Sequence, residues 1–176
     1  MFPFITQHSL KLIKKFGIIL ILSTGCLGFD GDDARSRIED LNKGQIILPS
    51  GETLQVFVAY SPQEQRNGLS GVKNEQFSND EGMLFPATKM MPRQFWMPNT
   101  HFNLDIVFLT GDFYVLDIHR DLEHYPEAEP KGKAPLSKKV FSQHVLEVKS
   151  SSPLAKEIQP GMTLKWSSDS PLLRTK

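Results

Sequence analysis

Apolar residues recur at every second position from Leu54 to Tyr60. Leu54, Val56, Val58 and Tyr60 fall on one face and Phe57 and Ala59 on the other, which predicts an internal strand buried on both sides. A shorter apolar run, Gln45 to Leu48, precedes it across Pro49-Ser50-Gly51-Glu52, where Gly51 is placed to take a positive φ. The pair reads as a hairpin. Ser61-Pro62-Gln63-Glu64 then supplies a helix cap, a proline for the first turn and the acid of a capping box, and Gly68 offers a left-handed stop, so two helical turns are expected.

Further along, Gly82 to Phe85 reads as a short strand, and Leu104 to Leu109 with Phe113 to His119 as a second hairpin around Thr110-Gly111-Asp112. Gln143 to Lys149 is another strand, Ser150 to Glu157 a loop or short helix, and Met162 to Trp166 a last strand after the Pro160-Gly161 turn. Between them, Val72 to Glu81 is polar and irregular, and Ala87 to Arg93 is a loop holding Met90-Met91-Pro92. Tyr125 to Ser142 contains Pro126, Pro130 and Pro135 and reads as a flap over a site or a mobile excursion. The stretch from Gly82 to Thr110 is the richest in Phe, Met and Trp, interrupted by the polar island Pro98-Asn99-Thr100. It predicts a core with a turn in it.

With 176 residues the chain suits one domain plus a leader. Formal charge is zero overall, and because Lys11, Lys14 and Lys15 precede Cys26, the remainder holds 17 basic against 20 acidic side chains. That balance offers no basic stripe for nucleic acid. Cys26 is the only cysteine, so no intramolecular disulfide can form.

Residues 1–25 join a Lys-bearing segment to Phe16-Gly17-Ile18-Ile19-Leu20-Ile21-Leu22 and then to Ser23-Thr24-Gly25 before Cys26. The apolar run is too short to span a bilayer, which takes about 20 residues, and matches the core of a signal peptide. The arrangement resembles a bacterial lipoprotein signal in which Cys26 is lipidated and becomes the new N-terminus, with Ser23 at a position that usually carries a large aliphatic residue. The expected address is therefore the cell envelope, outside the cytoplasm, with the lipid bilayer as a partner through Cys26. Ordinary secretion with a free Cys26 and an uncleaved anchor are the alternatives. Residues 26–42, rich in Gly and charge, read as a tether, with a short helix over Ala34 to Leu41 as the alternative. The domain proper is expected over 43–168, followed by a frayed tail at 169–176.

Five motifs stand in order: Glu64-x-Arg66-x-Gly68-Leu69, Gly82-Met83-Leu84-Phe85, Phe95-Trp96-Met97-x-Asn99-Thr100, Leu104-Asp105-Ile106-x-Phe108 and Val145-Leu146-Glu147. Their order and spacing resemble domain-of-unknown-function family 192, an uncharacterised group of bacteria and archaea, over about Thr53 to Leu164. The resemblance implies a mainly β, compact single domain of the sandwich or jelly-roll kind with one or two short helices. It implies no reaction. Ser70, Pro98 and Met162 depart from the family pattern, which more often has Met, Lys and Asp at those places.

No nucleophile elbow, phosphate-cradling glycine loop, paired metal motif or cysteine nucleophile is present, and no cofactor or metal is expected. His119-Arg120-Asp121-Leu122-Glu123-His124 gathers imidazoles and carboxylates without the spacing of a metal motif. Asp105 shares a strand face with apolar Val107 and Leu109, so its carboxylate must be paired or must face a cleft. The leading expectation is a binding module whose aromatic and Met-lined hollow, formed by Trp96, Asn99, Thr100, His101, Asp105 and Arg66, holds a small molecule, sugar or peptide. A structural or partner-binding lipoprotein without a pocket is the second reading. The third is a hydrolase-like enzyme using Asp105 and His101, with Glu147 a further candidate acid or base.

Overall fold

The computed structural model describes residues 31–128 and 134–168. Cys26 and the leader, the start of the expected tether, residues 129–133 and the expected tail lie outside the described residues. The first hairpin pairs β1 (Asn42–Ile47) with β2 (Thr53–Val58), Ile46 opposite Leu54, with Gly51 at φ +91° in the turn. A capping box then opens α2 (Pro62–Asn67): the Glu64 amide donates to Ser61 Oγ at 3.2 Å, and the Ser61 amide to Glu64 Oε2 at 2.8 Å. β3 (Glu81–Phe85) lies parallel to β2. β5 (Leu104–Leu109) and β6 (Val115–Leu122) form the second hairpin, with β6 running past the expected end at His119.

β8 (His144–Lys149) inserts between β3 and β5, and the sheet closes with β9 (Lys165–Ser167) in the order β6-β5-β8-β3-β2-β1-β9. Its two edges meet: the Val115 amide donates to the Met162 carbonyl at 2.7 Å, and Leu164 to Phe113 at 3.0 Å. The protein is therefore mainly β, and its sandwich-like layering comes from one sheet curled on itself.

Curling gives the strands two apolar faces. On one, Leu54, Val56, Val58, Leu84, Val107, Leu109, Leu146 and Val148 pack with Phe113, Leu164 and the buried Ala155 of α3 (Pro153–Glu157). On the other, Phe57, Met83, Phe85, Ile106, Phe108 and Val145 are covered by Leu69, Val72, Phe77, Met97 and Phe102 from the connections, and by α1 (Gly31–Glu39) through Ala34 and Ile38. All six residues of β5 and all six of β8 are buried as a result.

Two expectations change. The described part of the tether segment begins as helix α1, in line with the alternative of a short helix over Ala34 to Leu41, and it docks on the domain: Arg35 pairs with Glu81 at 2.9 Å, and Arg37 donates to the carbonyls of Gly68 at 3.1 Å and Ser70 at 2.6 Å. Burying Ala34 and Ile38 outweighs the polar composition that suggested a free coil. The expected loop at Ala87 to Arg93 instead ends in β4 (Met91–Arg93), which pairs with β7 (Val140–Ser142). The long proline-bearing segment is fastened beside it, with Leu136 bridged to Trp96 and Tyr125 to Pro98.

Ile38 is fully buried against Phe57-side core residues. Ile38→Ala should cost about 2 to 5 kcal/mol in chemical denaturation. A cost near zero would mean that α1 does not belong to the folded unit.

Candidate functional site

β8 carries the central feature. Its residues alternate between the two apolar faces, so Leu146 and Val148 enter one core while Glu147, paired across the strands with Met83 and Ile106, enters the other. Glu147 is 5% exposed, and among the described residues its carboxyl makes no hydrogen bond or ion pair. Burial alone pushes it up to about 8.

A roof stands over it. The loop Gly68–Gly71 is held from above by Arg37 and from the side by the Gly71 amide, which donates to the Asn99 carbonyl at 2.7 Å. Asn99 turns the chain at φ +53°, a left-handed conformation that Asn tolerates better than most residues. Thr100 fixes the turn: its hydroxyl donates to the Met97 carbonyl at 2.8 Å and accepts the Tyr125 amide at 3.0 Å. Beneath the roof is a cavity of about 50 Å³ bounded by Ser70, Met97, Thr100 and Glu147. That volume admits a water or the tip of a ligand.

The cavity shares Gln65, Arg66, Phe85, Phe95 and Trp96 with an open groove of about 630 Å³. Alternation along the chain puts Met97 fully inside and leaves Trp96 57% exposed. Arg66 projects from α2 at the groove's side, its guanidinium bonded to Gln63 Oε1 at 2.7 Å. Arg93 reaches the groove from β4 and lies over the Phe95 ring at 5.5 Å.

The expected site residues therefore divide. Trp96, Thr100 and Arg66 line one hollow, and Asn99 shapes its roof through the backbone. Asp105 lies in another hollow, of about 660 Å³, with Arg120, Asn103 and Lys156. There its carboxylate is satisfied: Arg120 Nη1 donates at 2.6 Å and the Asp121 amide at 2.8 Å, while Arg120 also binds the carbonyls of Ala155 and Ile158. These bonds supply the pairing that its place on an apolar strand face requires.

His101 faces Lys73, Nζ to Nε2 3.1 Å, and its pKa is lowered first by burial and then by that charge. No hydrogen bond joins it to Asp105. His119 accepts the Lys138 amide and His124 contacts Asn103, so that cluster is dispersed, and among the described residues no three His, Cys, Asp or Glu side chains gather into a metal-sized group. Among the described residues, the Asp105 hollow contains one enclosed hydroxyl without a partner, Ser150 Oγ, and the Trp96 hollow contains the Glu147 carboxyl, to which no protein group donates. The second departs much further from the rule that buried polar groups are matched.

The family described as Uncharacterized ACR, DUF192, matches residues 45–166, from β1 to β9. The chain belongs to the DUF192 family. No curated protein matches it. Among solved structures it is similar to a candidate transcription regulator from Sinorhizobium meliloti 1021, with 28% identity over 71% of this chain and 92% of that one and a TM-score of 0.54. It is also similar to a protein of unknown function from Novosphingobium aromaticivorans DSM 12444, with 27% identity over 70% and 84% of the two chains and a TM-score of 0.54. Within this DUF192 domain the matched span carries every residue of the Trp96 groove and of the Glu147 cavity.

The Glu147 carboxyl has a defined effect on stability. Folded, it releases its proton near pH 8; unfolded, near 4.5. Between those values the folded state holds a proton that the unfolded state has lost, so stability falls as pH rises through the window and levels off above about 8. Glu147→Gln should remove that slope, a difference on the order of a few kcal/mol between the window's ends. Parallel denaturation profiles for variant and parent across the same pH range would contradict this account of the carboxyl.

Proposed function

We propose that this protein is a small-ligand-binding module of the bacterial cell envelope, held at the membrane by a lipid on Cys26. The observation that carries the binding half is Glu147: a carboxyl without a partner at the floor of a cavity that adjoins an exposed tryptophan. Such a group is costly to keep unless something completes it. Protonated at neutral pH, it offers one donor and acceptor capacity to a hydroxyl, amide or water delivered from the groove. Trp96 supplies a flat apolar face for a sugar ring or a planar group, and Thr100 and Ser70 border the inner cavity.

The membrane half rests on the leader, where small residues precede Cys26. Among the described residues no helix is long and apolar enough to cross a bilayer. Helix α1 begins five residues after Cys26, which leaves a short span between a lipid and the domain. Transcription regulation, the description carried by the Sinorhizobium protein, is the weaker reading here, because 17 basic against 20 acidic side chains from Cys26 onward give no excess of positive charge for DNA.

Screening monosaccharides, short peptides and planar fragments by NMR against the full chain should give binders that move the indole resonance of Trp96 and leave that of Trp166 in place. Trp96→Ala should abolish those interactions with the fold intact. Binders that map only to the Asp105 hollow, or none at millimolar concentration, would overturn the binding proposal. For the anchor, expression with labelled palmitate should label the parent and not Cys26→Ser, and only the variant should leave the membrane fraction. Equal fractionation without label would overturn lipidation.

A further inference from the structure

Among the described residues, the groove beside Trp96 is lined by two arginines and by no acidic side chain. Arg66 is exposed on α2, and among the described residues its one side-chain hydrogen bond is to the neutral Gln63. Arg93 is different in kind. It is 9% exposed, yet among the described residues its guanidinium makes a single hydrogen bond, Nη1 to the Gln143 carbonyl at 3.3 Å, and pairs with no carboxylate. Its remaining nitrogens have no acceptor there.

A buried guanidinium is ordinarily compensated by an acid or by several carbonyls. Here its ionisable neighbour is His144, which is buried, pushed down to about 4 by burial and then by the arginine's charge, and accepts the Ala87 amide through Nδ1 at 3.2 Å. That imidazole is neutral and gives no counter-charge. The Phe95 ring beneath Arg93 offers only its π face. Contrast Arg120 in the other hollow, which has Asp105 and two carbonyls. The half-exposed Arg120 is completed from within, and the more deeply buried Arg93 is left open toward a groove.

We propose that Arg93, with Arg66 at the groove's side, forms a subsite for an anionic group, a carboxylate or a phosphate, on a ligand whose planar or apolar body lies against Trp96. The proposal rests on the Trp96 groove being a binding site and adds the charge of what it takes. A guanidinium presents its donors as a fork that fits two oxygens of a carboxylate or phosphate at once, and a desolvated one binds them more strongly than a surface one. Trp96 and the exposed Met91 provide apolar cover for the rest of the molecule.

The test uses three probes that share a ring system: 2-naphthoate, 2-naphthyl phosphate and the neutral 2-naphthylmethanol. Each is titrated into the full chain, following the Trp96 indole resonance identified with Trp96→Phe. At least one anion should bind about 10-fold or more tighter than the alcohol, as expected for a charge-assisted bond. The carboxylate and phosphate arms show which anion is preferred. Added salt should weaken the anion and leave the alcohol unchanged.

Arg93→Gln should erase the preference and Arg93→Lys should keep part of it, with alcohol binding intact in both. If all three probes move Trp96 with equal affinity, or the alcohol binds best, the anionic subsite is wrong while the groove stands. If none moves Trp96, groove and subsite fail together. The charge and salt comparisons on the parent protein decide the matter even if Arg93→Gln does not fold.

Discussion

Strand β8 has no exposed side. It is paired with β3 on one edge and β5 on the other, and apolar residues press on both of its faces. Any polar side chain it carries is therefore taken out of water, and Glu147 is such a side chain. An isolated carboxylate in that setting is far too costly to persist, so the group holds its proton instead. Everything above it then has to leave room: the Gly68–Gly71 loop and the Met97–Thr100 turn are braced by Arg37, Asn99 and Tyr125 so that they bridge a small volume and do not collapse onto the strand. A leucine at position 147 would fill the space and match its neighbours. The protein keeps an acid there.

The same bracing sets what lies outside. Because Met97 is drawn into the core, the alternation of side chains turns Trp96 outward, and the bridge to Leu136 brings the long connection alongside it. β4 is fastened to β7 and carries Arg93 inward to the neighbourhood of His144. A flat apolar face and a buried positive charge thus meet around the groove, and a buried proton lies in the cavity that adjoins it, each supplied by a different segment. The Asp105 hollow is similar in size but built on opposite terms, since its arginine neutralises its acid and also donates to the carbonyls at the end of α3. In one hollow the acid and the arginine satisfy each other, and in the other they do not meet.

Local patterns in the sequence are enough for β1, β2, β3, β5, β6 and β8, both hairpins and the capped helix, because each depends on residues a few positions apart, whereas the last strand, expected at Met162 to Trp166, lies at Lys165–Ser167. The two-sided alternation at Leu54 to Tyr60 even assigns residues to the correct core. Pairings made at a distance were not legible. Nothing near Met91 announces Val140 as its strand partner, and nothing in the polar run before Leu41 shows that Ala34 and Ile38 will find an apolar surface. Trp96 and Asp105 are close in sequence, but the left-handed turn at Asn99 intervenes and the two residues line separate hollows. The acid in Val145-Leu146-Glu147 was visible as a candidate. Its lack of a partner could be known only once β3, β5 and the roof were in place.

At neutral pH the Glu147 side chain is protonated and, among the described residues, unpaired beneath the roof. Carbon-13 NMR of selectively labelled glutamate, assigned with Glu147→Gln and followed through pH, reads that proton directly. This structure predicts a titration midpoint for Glu147 of about 8, well above the usual carboxylate range. A midpoint at the ordinary glutamate value of about 4.3 would mean that the carboxyl is solvated or paired, and the account of the cavity would fall with it.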